Sequence, residues 1–154
     1  MTKYYKVLCF LLLLTAVPAS ANDATDSSVA QDFQPEWYST DANGDPRIHL
    51  YFFWTNTCPH CLQAKPFMPK LTKSYPWLEL HQLQLRGNRD NVNLYINMAA
   101  SLDKVARSVP SFLFCETMMV GYGNEKTTGA LLKQKLEACY QQRTQTKPEI
   151  PEID

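Results

Sequence analysis

Two cysteines separated by a proline and a histidine carry the clearest chemical signal in the sequence. The tetrapeptide Cys58-Pro59-His60-Cys61 follows a nearly continuous apolar and aromatic run, 48–54, and precedes a stretch with helical spacing. A C-x-x-C pair between a buried strand and a helix is typical of a redox-active dithiol. Such a pair cycles between a disulfide and two thiols, so we expect no cofactor beyond the disulfide of Cys58 and Cys61.

The position of Cys58 at the start of a helix predicts a thiol that ionises easily. Unpaired backbone N–H groups and the positive end of the helix dipole face its sulfur, and a proton or hydrogen bond from His60 adds to their effect. Thiols placed in this way have pKa values of about 3.5 to 7.5 instead of about 8.5. Because the thiolate belongs to the reduced form, its stabilisation makes the disulfide a better oxidant.

The two sulfurs are expected to have different roles because they differ in access to solvent. We expect Cys58, exposed at the tip of the helix, to attack and to form the mixed disulfide with a substrate. Cys61 lies one turn further inward, and we expect it to be the resolving thiol that releases the partner. Pro59 holds the turn between the strand and the helix.

Other interpretations of the C-x-x-C pair are open. It could be a structural staple or half of a zinc site, but a tetrahedral site needs four ligands and the sequence has no second such pair. Cys58, His60 and Cys61 could instead hold a soft metal such as copper, or the domain could be a binding module without catalysis. The strand–helix context of the pair has no role in metal capture, so we favour redox chemistry and expect no metal site.

The first 21 residues have the three sections of a secretory signal. Lys3 and Lys6 precede the apolar run 7–14, and Ala19-Ser20-Ala21 supplies the small residues of a cleavage site. The apolar run is shorter than the about 20 residues that span a bilayer, so we expect no stable membrane insertion. The sequence therefore predicts a periplasmic or otherwise exported protein.

The predicted export of the protein bears on the state of its cysteines. Removal of residues 1–21 leaves an even set of four cysteines: Cys58, Cys61, Cys115 and Cys139. Thiols outside the cytosol meet oxidants, so an even set is typical of paired or redox-cycling cysteines.

Composition excludes several classes of protein. Of 154 residues, 45% are hydrophobic and 12% aromatic, which is typical of a globular chain with a buried core. The 15 basic residues are matched by 15 acidic ones, so no excess of positive charge favours nucleic-acid binding. The length allows one domain, which we place at 41–143, between a leader at 22–40 and a disordered tail at 144–154. The leader is expected to be flexible, with a short helix or an edge segment at 33–38.

The pattern of apolar residues predicts alternating strands and helices. We expect a central strand, a helix interrupted by Pro66 and Pro69, a strand with a bulge near His81, a helix, a hairpin and a last helix capped by Thr127 or Thr128. His49 and His81 are expected to be solvated. In the same order, these six elements span 48–54, 62–75, 78–85, 92–105, 109–122 and 127–140. The hairpin at 109–122 is expected to turn at Glu116-Thr117. This order predicts an α/β sandwich with a mixed sheet and helices on both faces.

The chain resembles the thioredoxin-fold oxidoreductases over about 47–140. The resemblance rests on Phe52-Phe53-Trp54-Thr55-Asn56-Thr57-Cys58-Pro59-His60-Cys61 and on Arg107-Ser108-Val109-Pro110-Ser111. It implies a thioredoxin-like fold in which Pro110 forms a cis bond beside the redox pair. It also implies that the backbone of Val109 meets the substrate and that Trp54 is the aromatic residue beside the site.

The Pro-His dipeptide is similar to that of the DsbA-type exported dithiol oxidases. The resemblance therefore implies that the protein donates disulfides to protein thiols and is recharged by a membrane redox partner. A reductase that serves cytochrome maturation or repair is the alternative direction. Nothing in the sequence indicates a dimerisation domain, so we expect a monomer.

Two departures separate the chain from that family. Many members carry a buried carboxylate six residues before the first cysteine, where it helps to deprotonate the resolving thiol, and here that position is Phe52. Only residues 62–109 separate Cys61 from Pro110, too few for the large helical insertion of DsbA-type enzymes. The chain thus combines a thioredoxin-sized body with a DsbA-like dipeptide.

Cys115 and Cys139 lie on elements that pack together in the fold that the chain resembles. The resemblance therefore favours a structural disulfide between them, while free cysteines are also common small core residues. A second redox relay is less favoured, because neither cysteine has a near neighbour in sequence.

Overall fold

The structure is a computed structural model that describes residues 33–145. The predicted signal segment at 1–21, most of the predicted leader and the tail from 146 onward lie outside the described residues. Within 33–145, none of the helices combines the length and the apolar character needed to cross a membrane.

The described residues form five strands and four α-helices. In chain order they are β1 (Tyr38–Thr40), β2 (Pro46–Trp54), α1 (Pro59–Ala64), α2 (Phe67–Ser74), β3 (Leu78–Gln84), α3 (Arg89–Ala100), β4 (Ser111–Phe114), β5 (Thr117–Val120) and α4 (Ala130–Gln145). A short π-helical turn at Glu125–Gly129 leads directly into α4. The fold is therefore mixed α/β, as predicted.

β2 is the centre of the sheet. β3 runs parallel to it along one edge, with Ile48 opposite Leu78 and Trp54 opposite Gln84. β4 and β1 pair with it in the antiparallel sense, and β5 continues the sheet beyond β4. The sheet thus combines one parallel pairing with three antiparallel ones.

Both faces of the sheet are covered by helices. The even-numbered residues of β2 from Ile48 onward belong to a core shared with α1, α2 and α4, whereas Tyr51 and Phe53 pack on the other face against Tyr95 and Met98 of α3. Successive side chains of a strand point to opposite faces. Because both faces are buried, β2 is apolar at nearly every position.

The ordered domain begins earlier than predicted. β1 lies inside 22–40, which was predicted as a flexible leader, and it pairs with the start of β2 through Tyr38 and Ile48. Trp37 is also buried. The turn at 41–46 that was predicted as the start of the domain instead closes a β-hairpin, in which the Asp41 carboxylate accepts backbone hydrogen bonds from Asn43 and Asp45.

Two expectations about the histidines and β3 were wrong. His49 is only 4% exposed, because it lies on the central strand and its ring is hydrogen-bonded to Ser39 of β1. His81 is half-buried against it. No bulge interrupts the continuous register of β3 on β2; the phase shift in apolar residues arises because Leu80 and Leu83 pack on opposite faces.

The first helix is divided at Pro66 as predicted, but not at Pro69. α1 ends before a turn at Lys65 and Pro66, and α2 begins at Phe67. Pro69 does not interrupt α2, because it lies in the first turn, where a backbone N–H is not needed.

α3 begins and ends earlier than the predicted range of 92–105. The side chain of Asn88 caps its start, and Asp103 adopts a left-handed conformation with φ 54° after its last turn. Backbone N–H groups of Asp103 and Lys104 donate to the carbonyls of Ala100 and Ala99 at 3.0 and 2.9 Å. This Schellman motif usually places a glycine where Asp103 lies, so the usual sequence signal for the helix end is missing.

The turn of the β4–β5 hairpin and the cap of the last helix lie a few residues away from their predicted positions. The hairpin turn between β4 and β5 is Cys115-Glu116, and both residues have positive φ. Asn124, and not Thr127 or Thr128, is the cap that leads into α4, and its carboxamide oxygen accepts backbone hydrogen bonds from Lys126 and Thr127. The side-chain oxygen of Thr127 accepts the backbone N–H of Asn124 in return, which completes a capping box.

A disulfide joins the β4–β5 turn to α4. It links Cys115 to Cys139, whose Cα atoms are 6.4 Å apart. The hairpin and the last helix are therefore held together covalently as well as by packing.

Removal of this bridge should destabilise the domain. In the chain-entropy account, closing a loop between residues 24 apart in sequence, as here, stabilises by about 3 kcal/mol. We expect the variant C115A/C139A to lose about that much free energy of unfolding in urea under oxidising conditions. The control is C58A/C61A, which opens a far shorter loop and should lose less. Equal midpoints for C115A/C139A and the unmodified protein would contradict a structural role for the bridge.

Candidate functional site

The antiparallel pairing of β2 with β4 assembles the candidate site. Phe53, near the end of β2, lies opposite Ser111 at the start of β4. The segment that follows β2 and the segment that precedes β4 therefore meet at the same edge of the sheet. Cys58 is on the first of these segments, and Val109 and Pro110 are on the second.

Cys58 caps the start of α1. Its backbone is extended, with φ −95° and ψ 112°, and Pro59 occupies the first helical turn. The backbone N–H of Cys61 donates to the Sγ of Cys58 at 3.1 Å. Since an N–H donor interacts more strongly with a charged sulfur than with a neutral one, this contact favours the thiolate when the pair is reduced. α1 has only six residues, so the local N–H, more than a long helix dipole, provides this effect.

Cys58 and Cys61 are joined by a disulfide and differ sharply in access. Their Cα atoms are 5.2 Å apart. The Cys61 side chain is completely buried, whereas Cys58 is half-buried at the surface of the domain. A partner can therefore reach the sulfur of Cys58 but not that of Cys61.

Val109 brings a backbone acceptor to the same sulfur. Its carbonyl oxygen lies 3.5 Å from the Sγ of Cys58, and its peptide bond to Pro110 is cis. A reduced thiol can donate to this oxygen, which favours the protonated form, in opposition to the N–H of Cys61. The Cys58 sulfur therefore has one backbone donor and one backbone acceptor within reach.

The loop that carries Val109 is held from both sides. The hydroxyl of Tyr95 on α3 donates to the carbonyl of Ser108 at 2.7 Å, and the N–H of Gly121 donates to the carbonyl of Pro110 at 2.8 Å. Burial raises the pKa of Tyr95, so its hydroxyl keeps its proton at neutral pH. The position of the Val109 carbonyl thus depends on α3 and on the residue that follows β5.

Trp54 and Lys65 form a pair next to these segments. Trp54 ends β2, and the ammonium of Lys65 lies 3.7 Å from the centroid of its indole ring. A cation over an aromatic face is attracted by the ring quadrupole. Lys65 closes α1 one turn after Cys61, so this contact ties the end of the helix to the end of the strand.

The remaining residues of the motif and its surroundings have distinct environments. His60 is exposed on α1, and within 33–145 its imidazole has no hydrogen-bond partner. Phe52 is completely buried and stacks on Phe112 with ring centroids 5.2 Å apart. The position at which a carboxylate could serve Cys61 is therefore part of the apolar core.

Sequence reasoning identified the cysteines, Pro110 and Val109 but not the residues that hold them. Tyr95 belongs to the apolar stripe of α3, where its hydroxyl gives no separate signal. Lys65 looks like an ordinary surface lysine until the fold places it over Trp54. Cys115 and Cys139 form their own disulfide, separate from the pair at Cys58 and Cys61.

Comparison of the chain with protein-family models finds no match, and comparison with curated proteins finds none.

The difference in access predicts an order of alkylation. In the reduced protein at mildly acidic pH, we expect iodoacetamide to modify Cys58 at least about tenfold faster than Cys61, because the more accessible sulfur is also the one that receives the backbone N–H of Cys61. Mass spectrometry of the peptides over time measures both rates. The urea-unfolded protein is the control, in which the two cysteines should react alike. If folded Cys58 reacted no faster than free glutathione, its assignment as the attacking sulfur would be wrong.

Proposed function

We propose that this protein is an exported thiol–disulfide oxidoreductase with a thioredoxin-like sandwich fold, and that it donates disulfides to protein thiols. The observation that carries the proposal is the environment of the Cys58 sulfur. It is accessible, it receives the N–H of Cys61 at 3.1 Å, and its disulfide partner is buried behind it. The mixed sheet with helices on both faces supports the proposed fold class.

The chemistry follows from which sulfur can be reached. A substrate thiolate attacks the Sγ of Cys58, the Cys58–Cys61 bond breaks, and Cys61 leaves with the electron pair. A second substrate thiolate then attacks the substrate sulfur of the mixed disulfide, and Cys58 leaves as a thiolate. The substrate loses two electrons and forms its own disulfide, and the Cys58–Cys61 pair gains those electrons. The protons released by the substrate thiols pass to Cys61 and to water.

Stabilisation of the leaving sulfur favours this direction. The last step expels Cys58 as a thiolate, and the N–H of Cys61 is placed to receive that charge. A lower leaving-group pKa makes such a step faster.

The apolar side chain at position 52 affects both directions alike. Reduction of a substrate requires buried Cys61 to lose its proton and attack the mixed disulfide, and donation expels Cys61 as a thiolate in the reverse of that step. Phe52 stands where a carboxylate could exchange a proton with Cys61, so another base or water must serve this step. The direction of electron flow therefore depends on the environment of Cys58 and not on position 52.

The substrate is proposed to lie along the Val109 loop. The Val109 carbonyl is 3.5 Å from the sulfur that carries the mixed disulfide, so an extended substrate can donate a backbone N–H to it while joined to Cys58. Backbone pairing of this kind accepts many sequences, since it uses atoms that every peptide has. Trp54 and Lys65 border the same segments and would limit the approach of the substrate.

The compartment and partners belong to the same proposal. A disulfide donor acts where thiols can stay oxidised, which agrees with the secretory signal predicted at 1–21. After each donation the reduced pair must pass two electrons on, and we assign this step to a membrane redox partner. The protein is proposed to act as a monomer.

The reduction potential of the Cys58/Cys61 pair tests the direction of electron flow. We expect a value of about −120 mV against glutathione, whereas a value of about −270 mV would identify a reductase. Tryptophan fluorescence of C115A/C139A across glutathione redox buffers isolates this pair from the second disulfide. A reducing potential would overturn the assignment as a donor.

Trapping of the intermediate tests the assignment of roles. The variant C61S, which lacks the buried sulfur, is mixed with a protein whose thiol has been activated as a disulfide. We expect Cys58 of C61S to attack that disulfide and to accumulate as a mixed disulfide with the protein thiol. Non-reducing electrophoresis and mass spectrometry detect this adduct. The matched variant C58S retains only the buried sulfur and should form none. An adduct on Cys61 of C58S, or no adduct in either variant, would contradict the proposed roles.

A further inference from the structure

A second group of chemically active side chains lies at the other end of the sheet. It consists of His49, Glu79 and His81, whose nitrogen and oxygen ligand atoms all lie within 4.8 Å of one another. The parallel register places His49 opposite Glu79, and His81 is two residues further along the same face. At about 3.3 Å per residue, His49 is about 17 Å along β2 from Trp54, so the group is separate from the candidate redox site.

One nitrogen of each imidazole lies close to the other. The Nε2 of His81 is 3.1 Å from the Nδ1 of His49, and the ring centroids are 5.1 Å apart. Zinc binds imidazole nitrogens at about 2.0 to 2.1 Å, so two of them in a tetrahedral site are about 3.3 Å apart. The separation of these nitrogens is therefore close to the one that a shared zinc ion requires.

Ser39 orients the buried imidazole. Its hydroxyl is 2.8 Å from the Nε2 of His49 and can accept that N–H, which leaves the lone pair of Nδ1 directed at His81. Without a metal, the Nε2–H of His81 donates to this lone pair. With a metal, His81 carries its proton on Nδ1 instead, so both nitrogens become free to bind. A hydrogen bond to the second nitrogen is the usual support of a metal-binding histidine.

Glu79 supplies the third ligand atom. Its Oε1 is 3.8 Å from the Nε2 of His81, while its Oε2 is 3.5 Å from the Nε of Arg47. The same Oε2 lies 3.9 Å from the Nε2 of His49, so both carboxylate oxygens are on the side of the imidazoles. The side chain of Glu79 is 41% exposed and that of His81 30%, so an ion can enter from solvent and Glu79 can move towards it.

The surroundings of His81 combine burial with nearby carboxylates. Burial and the neighbouring His49 lower the pKa of His81, although the charges of Glu79 and Glu36 oppose this shift. Tyr51 stacks on His81 with ring centroids 4.6 Å apart and fixes the plane of its ring. The charged groups at the site are therefore two carboxylates and the Arg47 guanidinium.

We propose that His49, Glu79 and His81 bind a zinc ion through two imidazole nitrogens and one carboxylate oxygen, with a fourth position open to water. Two nitrogens and one oxygen are a ligand set that suits zinc, and the absence of sulfur separates the site from the cysteine pairs. The site does not depend on the proposed redox function.

Titration of the oxidised protein with zinc chloride tests the proposal. The full chain is used without a polyhistidine tag, and both disulfides are kept closed so that no thiol competes. We expect isothermal calorimetry at slightly alkaline pH to give one ion per chain. H81A should weaken binding at least about tenfold, and E79Q, which preserves shape and removes only the charge, should also weaken it at least about tenfold.

His60 provides the matched control. It is the one histidine of the sequence that does not belong to the proposed site, and it lies on α1, so H60A should bind zinc as tightly as the unmodified protein. Circular dichroism of each variant checks that the fold is retained, and E79Q serves if H81A does not fold. No binding to the unmodified protein, or equal affinity in a folded H81A or E79Q, would overturn the site. Loss of binding in H60A would also overturn it.

Discussion

The antiparallel pairing of β2 with β4 is the constraint on which the candidate redox site depends. Because the strands run in opposite directions, the end of one lies beside the beginning of the other, with Phe53 opposite Ser111. A peptide carbonyl from the Val109 loop thereby comes within 3.5 Å of the Cys58 sulfur, although the two residues are 51 positions apart in the chain. A shift of the β4 register by one residue would separate them, and it would also move each apolar residue of β4 from one buried face of the sheet to the other.

The site gains its asymmetry from the boundary between core and solvent. α1 begins at the surface and turns inward, so the first cysteine of the motif remains accessible and the second is completely buried. The same core extends beneath the site through the stack of Phe52 on Phe112. Apolar packing therefore continues up to the sulfurs, and it supports the position of the pair without supplying a group that accepts a proton.

The two ends of β2 carry different chemical groups because different hydrogen-bond partners are present at each end. At its carboxyl end the chain leaves the sheet and exposes a helix start, where backbone N–H groups are free to contact a sulfur. Near its amino end the polar side chains of His49 and Glu79 remain within the sheet and are held by Ser39, His81 and Arg47. A polar group can be buried in such a sheet only when neighbouring strands supply its hydrogen bonds.

The sequence alone was sufficient for the features that depend on local chemistry. The spacing of Cys58 and Cys61, the apolar run of β2 and the helix break at Pro66 all follow from neighbouring residues, so the mixed α/β fold could be predicted. The tertiary structure decided what depends on contact between distant segments: the membership of β1 in the sheet, the burial of His49 and the hydroxyl of Tyr95 beneath the Val109 loop. His49 and His81 are 32 residues apart, and only the parallel pairing of β2 and β3 brings their nitrogens together. Periodicity records which face of an element is apolar, but not which element covers it, so these contacts required the folded chain.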